Sequence, residues 1–226
     1  MMANLPAVGW RLMILPSDYR SVQNLTTFPI VPGDTLTDIE YMYSSHMSGV
    51  LEAGFDAAYE YIMLNSYSAT WLRPDASLLF VFVSDEEEQS NHHFINYYDF
   101  ISWASVYRQN VFVASIVNVD TVDSVCTPPA TGLNIGQNYM DVTSYFSGNI
   151  IDICSEDWSA GVGDASTQIV PYEFIDLTHT PLDPNWIFVY VEGARNSDWY
   201  YDPAENRVYF TVIPDANLLV EVVYNY

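Results

Sequence analysis

Residues 71–90 read WLRPDASLLFVFVSDEEEQS, and this stretch decides the predicted fold. Its middle part, residues 78–83, is continuously apolar, which predicts a central strand covered on both faces. The strand runs directly into the acidic residues 84–90. Ligands of open α/β sheets collect beyond the carboxyl ends of strands, and hard cations prefer carboxylate and hydroxyl oxygens. The loop is therefore either a divalent cation site or a solvated acidic loop that caps a helix.

Helices and strands are predicted to alternate around this central strand. Upstream, apolar side chains share one helical face of residues 48–63, while Glu52, Asp56 and Glu60 fall off that face. Downstream, predicted helices alternate with predicted apolar strands, at residues 94–107, 111–117, 138–146 and 149–154. This succession is typical of right-handed crossovers in a parallel sheet.

The two ends of the chain follow other patterns. Residues 10–15, WRLMIL, predict a buried strand, and residues 28–43 predict a long loop with at most short pieces of structure. Near the carboxyl end, short apolar segments separated by Asn, Asp, Pro and Gly predict strands at 187–193, 198–202, 207–213 and 218–224. We therefore expect an α/β domain over residues 1–166 and a small antiparallel β-rich module over residues 167–226.

The charge of the chain limits its partners. Six Arg face 29 Asp and Glu, lysine is absent, and the formal net charge is −23. A field of that sign repels phosphate backbones and anionic lipid, so neither nucleic acid nor a membrane is an expected partner. No stretch approaches the roughly 18 to 20 uninterrupted apolar residues of a membrane helix. The acidity either serves solubility alone or reflects cation binding or a salty environment.

Cys126 and Cys154 are the only cysteines. Two thiols without a CxxC pair or a nearby His constellation are too few for a structural zinc site. The two residues are a candidate disulfide, which would stabilise the fold by roughly 3 kcal/mol through its constraint on the unfolded chain. Reduced thiols are the alternative, because the sequence does not reveal the compartment.

A family resemblance rests on the segments WLRPDASLLFVFVSDEEEQS, VFVASIV, NYMDVTSYFSGNI and DICSEDW. In this order they resemble the later part of bacterial von Willebrand factor A-type domains, which implies a mostly parallel sheet with flanking helices. The family's metal-ion-dependent adhesion site uses an Asp-x-Ser-x-Ser loop, a Thr before a later helix and an Asp after the central strand. Asp85 matches the last position, and Ser48 is the best match to the Thr. No Asp-x-Ser-x-Ser occurs here, as though the first strand were missing.

The resemblance implies one of two outcomes for that site. Either the site is lost, or another chain supplies the missing strand and loop; a missing strand also leaves an edge that another chain can fill. The tail resembles small β modules of bacterial and phage surface proteins. Its aromatic residues are expected to form core and cross-strand pairs, or alternatively a sugar-binding platform: Trp186, Tyr190, Trp199, Tyr200, Tyr201 and Tyr209.

No catalytic motif stands out. The chain lacks GxSxG and a phosphate-binding Gly loop, and its cysteines have no paired His motif. His92 and His93 follow the acidic loop, but adjacent side chains are expected to point in different directions and to lie at a solvated helix start. His46 and His179 have no partner at a recognisable spacing. A metal-assisted hydrolase using Asp85 with His92 or His93 is a third hypothesis, and we predict that the chain is not an enzyme.

These features predict a non-enzymatic structural or adhesive protein that acts through protein contacts in a larger assembly. The β-rich tail, the missing strand and the lack of an export signal in residues 1–10 favour a phage virion component of tail or capsid. The competing hypothesis is a metal-dependent von Willebrand factor A-type binding module on a bacterial surface or secreted. Expected partners are other protein chains, and the expected cofactor is none or a single Mg²⁺ or Ca²⁺.

Overall fold

The computed structural model describes residues 10–46, 51–74, 76–108, 110–119, 134–158, 161–162, 174–212, 214 and 218–226. The chain divides into two compact units, residues 1–168 and 169–226. The domain boundary predicted at residue 166 falls outside the described ranges and stays a prediction.

The first unit contains a three-stranded parallel sheet. Its strands are β1 (Leu78–Ser84), β2 (Val111–Val117) and β3 (Ile150–Asp152), in the order β1-β2-β3. β1 and β2 pair over their whole length, from Leu78 opposite Val111 to Ser84 opposite Val117. The predicted mixed α/β class with a parallel sheet is therefore confirmed. The prediction that residues 78–83 form a central strand covered on both faces is wrong, because among the described residues β1 lies at the edge of this sheet and Val83 is 51% exposed.

Four α-helices accompany this sheet. They are α1 (Leu36–His46), α2 (Gly54–Tyr59), α3 (Tyr97–Tyr107) and α4 (Gln137–Tyr145), and a π-helical turn (Glu60–Leu64) continues α2 directly. The main core contains an aromatic cluster in which Phe55 stacks on Phe100 with ring centroids 4.5 Å apart. Tyr139 of α4 joins it at 5.1 Å from Phe82. This core fixes α2, α3 and α4 on one face of β1 and β2.

Two predictions for the amino-terminal segment are wrong. Residues 10–15 form no strand beyond a single antiparallel bridge between Leu12 and Ile30. Met13 and Leu15 instead pack on a separate cluster that contains Tyr61 and Trp71. An apolar segment can bury its side chains either in a sheet or in such a side cluster. Sequence periodicity does not reveal which of the two arrangements a segment adopts.

The long loop predicted at residues 28–43 is also wrong, because it contains most of α1. The helix begins after Thr35, whose backbone N–H and hydroxyl both donate to the Asp38 carboxylate at 2.7 Å. A Thr followed three residues later by an acidic residue is a known sequence mark of a helix start. Of α1, only Met42 and His46 are buried.

α2 begins later than the predicted helix start at residue 48. Residues 51–53 are not helical. The first N–H groups of α2 are satisfied from a distant segment, since Phe55 N–H donates to Glu88 at 3.2 Å and Asp56 N–H donates to Ser90 Oγ at 2.9 Å. A cap supplied from more than thirty residues away along the chain has no local sequence signal.

The second unit consists of two antiparallel three-stranded sheets. One has the order β4 (Phe174–Asp176), β8 (Arg207–Phe210), β7 (Trp199–Asp202), and the other has the order β6 (Ala194–Asn196), β5 (Phe188–Val191), β9 (Val220–Val223). Residues of both sheets share one core, including Val189 and Val208 with no exposed surface. The predicted antiparallel organisation is confirmed, with β4 and β6 as strands that the pattern did not indicate.

The β5–β6 hairpin turns on two residues with positive φ, Glu192 at 50° and Gly193 at 75°. Positive φ at both central positions is the geometry of the two-residue turn that matches strand twist, and Gly adopts it without steric cost.

No helix in the described ranges is long and apolar enough to cross a membrane.

Candidate metal centre

The acidic loop 84–90 lies at the carboxyl end of β1, as predicted, but two of its carboxylates, those of Glu87 and Glu88, serve helix ends. Glu87 accepts the backbone N–H groups of Gln137 and Asn138 at 3.1 Å each, in the first turn of α4. A carboxylate at a helix amino terminus satisfies free N–H groups and is favoured by the helix dipole. The loop therefore ties α4 to the end of β1.

Glu88 performs the corresponding role for α2. Its carboxylate accepts the N–H of Phe55 at 3.2 Å and both the N–H and the hydroxyl of Ser90. Burial raises the pKa of Glu88 to about 7. Burial also raises the pKa of Tyr139 well above its ordinary value, and the charge of the nearby Glu88 is the second cause of this rise. The Glu88 side of the loop is thus a partly buried carboxyl–hydroxyl contact rather than a set of free metal ligands.

The predicted cation site at Asp85 and Ser48 stays a prediction. The side chain of Asp85 is exposed, and its backbone carbonyl accepts the N–H of Asn134 at 3.2 Å. Ser48 lies outside the described residues. Within the described ranges, Asp85 does not belong to any group of three or more His, Cys, Asp or Glu donors.

A different group of donors does converge, at the junction of α2 and the segment before α3. Asp56 of α2 has no exposed surface. Its carboxylate accepts four consecutive backbone N–H groups, those of residues 91–94, at 3.0, 2.8, 2.8 and 3.3 Å. A buried carboxylate is tolerated only with such full hydrogen bonding. Asp56 therefore fixes the backbone that carries His92 and His93.

Glu60, one turn further along the same helix, faces these two histidines. His93 Nε2 lies 2.8 Å from Glu60 Oε1, and His92 Nε2 lies 3.7 Å from the same oxygen. The three donor atoms all lie within 4.8 Å of one another. The expectation that adjacent histidines point in different directions is wrong here, because the tight backbone held by Asp56 turns both rings to one side.

Neighbouring side chains hold the three donors in place. Tyr19 stacks on His92 with ring centroids 4.9 Å apart and planes 8° from parallel, and Tyr59 lies against His93 at 4.3 Å. Gln23 Nε2 donates to the second carboxylate oxygen of Glu60 at 3.1 Å. Glu60 also opens the π-helical turn, marked by the Asn65 N–H that donates to the Glu60 carbonyl at 2.9 Å. Single π-turns of this kind occur frequently at functional sites.

The donor set has a defined chemistry. Two imidazole nitrogens and one carboxylate oxygen suit borderline divalent metals such as zinc, whereas Mg²⁺ and Ca²⁺ prefer oxygen alone. Glu60 is only 1% exposed while the His92 side chain is 50% exposed, so the group has a buried anionic base and an open side. The same atoms also form a hydrogen-bonded Glu–His contact in the absence of an ion.

The sequence interpretation missed Asp56 and Glu60 as site residues. It placed both off the apolar helical face and so toward solvent, but they are 0% and 1% exposed. The available signal was their spacing of four residues on one predicted helix, together with the His pair. That signal is weak in a chain with 29 acidic residues.

The other singled-out residues lie elsewhere. The buried His46 makes structural contacts, with Nδ1 2.9 Å from the Ile14 carbonyl and Nε2 2.7 Å from Thr27 Oγ1. His179 of the second unit stacks on Tyr226. Cys154 follows β3, where its N–H donates to Asp152 at 2.9 Å. Cys126 lies outside the described residues, so the disulfide stays a prediction.

The predicted aromatic residues of the tail divide between the core and its surroundings. Trp199 and Tyr201 pack on the core of the second unit, and Tyr200 pairs across strands with Tyr209 at 5.3 Å. Trp186 is 58% exposed. Cross-strand pairing was one of the two interpretations made from the sequence.

Comparison with known proteins returns no relatives. No protein-family model matches the chain, and neither a curated protein nor a solved structure matches it. The fold and the site define a mixed α/β protein with a parallel-sheet unit, an antiparallel β unit and a Glu–His–His cluster.

Proposed function

We propose that this chain is a non-enzymatic structural or adhesive protein that acts through protein–protein contacts in a larger assembly, as a component of a phage virion. The observation that carries the proposal is the outward face of α3. That face is exposed, and beyond its first turn it has no charged side chain.

The outward face of α3 combines exposed apolar side chains with small polar ones. Phe100, Ile101 and Ala104 are buried in the core. On the opposite side, Tyr98 is 62% exposed and Val106 is 89% exposed. Large apolar side chains exposed on a face without charge beyond its first turn are suited to burial against another chain.

Charge supports the choice of this face as a contact. Asp99 is the one carboxylate on the outward side, and it accepts the N–H groups of Ile95 and Asn96 at the helix start. The later turns expose Ser102, Ser105 and Val106. Copies of a chain with a net charge of −23 repel one another. A face without charge lets two copies meet at the least electrostatic cost, so the occupant we propose is a second copy of this chain.

The free edge of β1 supports the same proposal. The order β1-β2-β3 makes β1 an edge strand, and in the part of the chain that the structure describes the backbone of residues 79–84 has partners only in β2. An unpaired edge strand is a template for a strand from another chain. This edge is where a chain of the assembly would supply the strand that the family resemblance implies is missing.

The test is the oligomeric state of the purified chain by light scattering, with and without EDTA. We expect a defined oligomer that EDTA does not dissociate. Val106→Glu places a charge on the proposed contact and should yield monomers. Val212→Glu is the matched control, because Val212 is also exposed, at 62%, and lies in the second unit. A monomeric wild-type chain, or an oligomer that Val212→Glu disrupts equally, would contradict the contact.

The second candidate is a metal-dependent binding module, which the Glu60–His92–His93 group favours. This candidate differs from the assembly protein in one measurable respect, because its contacts with other chains would require a bound divalent ion. An oligomer or complex that forms with a divalent ion and dissociates with EDTA would favour this candidate over a metal-indifferent assembly protein.

A further inference from the structure

We propose that Glu60, His92 and His93 bind one divalent ion of the zinc class. This inference is independent of the oligomeric state and of the acidic loop. It assigns the ion to imidazole and carboxylate donors, in place of the Mg²⁺ or Ca²⁺ expected at Asp85 and Ser48.

The donor spacing fits a single ion. Two ligands that each lie about 2.0–2.1 Å from one metal are about 2.9 Å apart at octahedral angles and about 3.3 Å apart at tetrahedral angles. The distances from Glu60 Oε1 to the two Nε2 atoms, 2.8 and 3.7 Å, lie on either side of these values. Closing the group around an ion requires the imidazole rings to rotate, and the outer ring, that of His92, is half exposed and so has room to do so.

The surroundings fix these donors in advance. Asp56 holds the backbone of both histidines through four N–H groups, and Tyr19 and Tyr59 lie against the two rings. Gln23 orients the Glu60 carboxylate from its other oxygen. Such supporting contacts around metal ligands keep the loss of side-chain freedom on binding small.

The charge of the site also favours a cation. Glu60 is a buried carboxylate, and among the described residues its only ion-pair partners within 4.0 Å are the two histidines. Burial of an anion is costly unless a positive charge compensates it. A divalent ion would supply that charge and accept the neutral imidazoles as ligands. Its remaining coordination positions would face solvent on the side of His92.

The experiment is calorimetric titration of the full chain with ZnCl₂ in the presence of a large excess of MgCl₂. Magnesium occupies the diffuse acidic surface, so zinc is retained at sites with nitrogen or sulfur donors. We expect one zinc per chain. His92→Ala should lower the affinity by at least about 10-fold, because loss of a ligand exceeds the usual effect of losing a supporting contact.

Three further variants keep the result interpretable. Glu60→Gln retains the size of the side chain but removes the anionic donor, and it should lower zinc affinity while circular dichroism verifies the fold. His179→Ala removes a histidine of the second unit and should leave the affinity unchanged. Combined Cys126→Ser and Cys154→Ser substitutions exclude thiol binding. Absence of zinc binding, displacement by magnesium, or equal affinity in His92→Ala would overturn the proposal.

Discussion

At the scale of single residues, Glu88 shows how burial changes the role of a carboxyl group. It lies in the acidic loop, yet its contacts are the Phe55 N–H and the N–H and hydroxyl of Ser90. Burial is the largest cause of the rise of its pKa to about 7, and hydrogen bonds from Ser90 oppose that rise. Glu88 therefore takes up a proton in the folded chain at a pH where the unfolded chain has lost it.

The pH dependence of stability follows from this shift. A carboxyl group whose pKa is raised on folding stabilises the fold below its unfolded value, and that contribution is lost as the pH rises through about 7. The upper bound is about 3 kcal/mol for a shift of this size. We expect the free energy of unfolding to fall less between about pH 5 and about pH 8 in Glu88→Gln than in the wild type.

Urea denaturation at both pH values measures this difference. Glu221→Gln, which changes an exposed carboxylate of the second unit, should retain the wild-type pH dependence. An unchanged pH profile in Glu88→Gln would show that the loop carboxyl does not titrate in this range.

At the scale of elements, the side chain of Asp56 makes the largest set of hydrogen bonds between α2 and the segment before α3. Asp56 accepts four N–H groups of residues 91–94, in a stretch that forms no ladder of its own. The same stretch carries His92 and His93, and the π-helical turn after α2 carries Glu60. Asp56 therefore positions the segment that carries the histidines against the helical segment that carries Glu60.

Asp56→Asn should lower the free energy of unfolding by about 2–4 kcal/mol. An amide has one acceptor oxygen, so some of the four buried N–H groups lose their partner, and its NH₂ group faces other donors. Urea denaturation measures the loss. The control is Asp85→Asn, where the side chain is exposed and a change within about 0.5 kcal/mol is expected. Equal losses in the two variants would contradict the clamp role of Asp56.

At the scale of the whole molecule, the net charge of −23 opposes compaction. Arginine ion pairs among the described residues include Arg20 with Asp18 and Arg207 with Asp176. Such pairs do not offset a general excess of negative charge. Self-repulsion of this kind destabilises the compact state and is screened by salt.

Salt should therefore stabilise the fold. The screening length falls from about 10 Å at 0.1 M salt to about 3 Å at 1 M salt. We expect the Tm, measured by differential scanning calorimetry, to rise steadily as NaCl increases across this range. Sucrose serves as the control, because it is excluded from the protein surface but carries no charge and so does not screen the acidic side chains. A Tm that is flat or falls with NaCl would show that the acidic charges are already compensated.

Much of the fold could be predicted from local pattern. β2 spans the predicted residues 111–117, and β1 differs by one residue at its end. Short continuous apolar runs bounded by turn signals favour strands, although Val83 near the end of β1 is 51% exposed. Residues 10–15 carry the same signal but join a side cluster, because partner choice among apolar surfaces depends on distant segments.

The candidate site could be predicted only in part. The sequence by itself determined the charge, the parallel α/β order and the position of the acidic loop at the end of β1, because these depend on composition and on local periodicity. Tertiary structure decided that Glu87 and Glu88 serve helix ends, that Asp56 and Glu60 are buried, and that His92 and His93 converge. The burial and the hydrogen-bond partners of a carboxylate depend on segments that are far apart along the chain. They therefore cannot be predicted from the residue type and its near neighbours in the sequence.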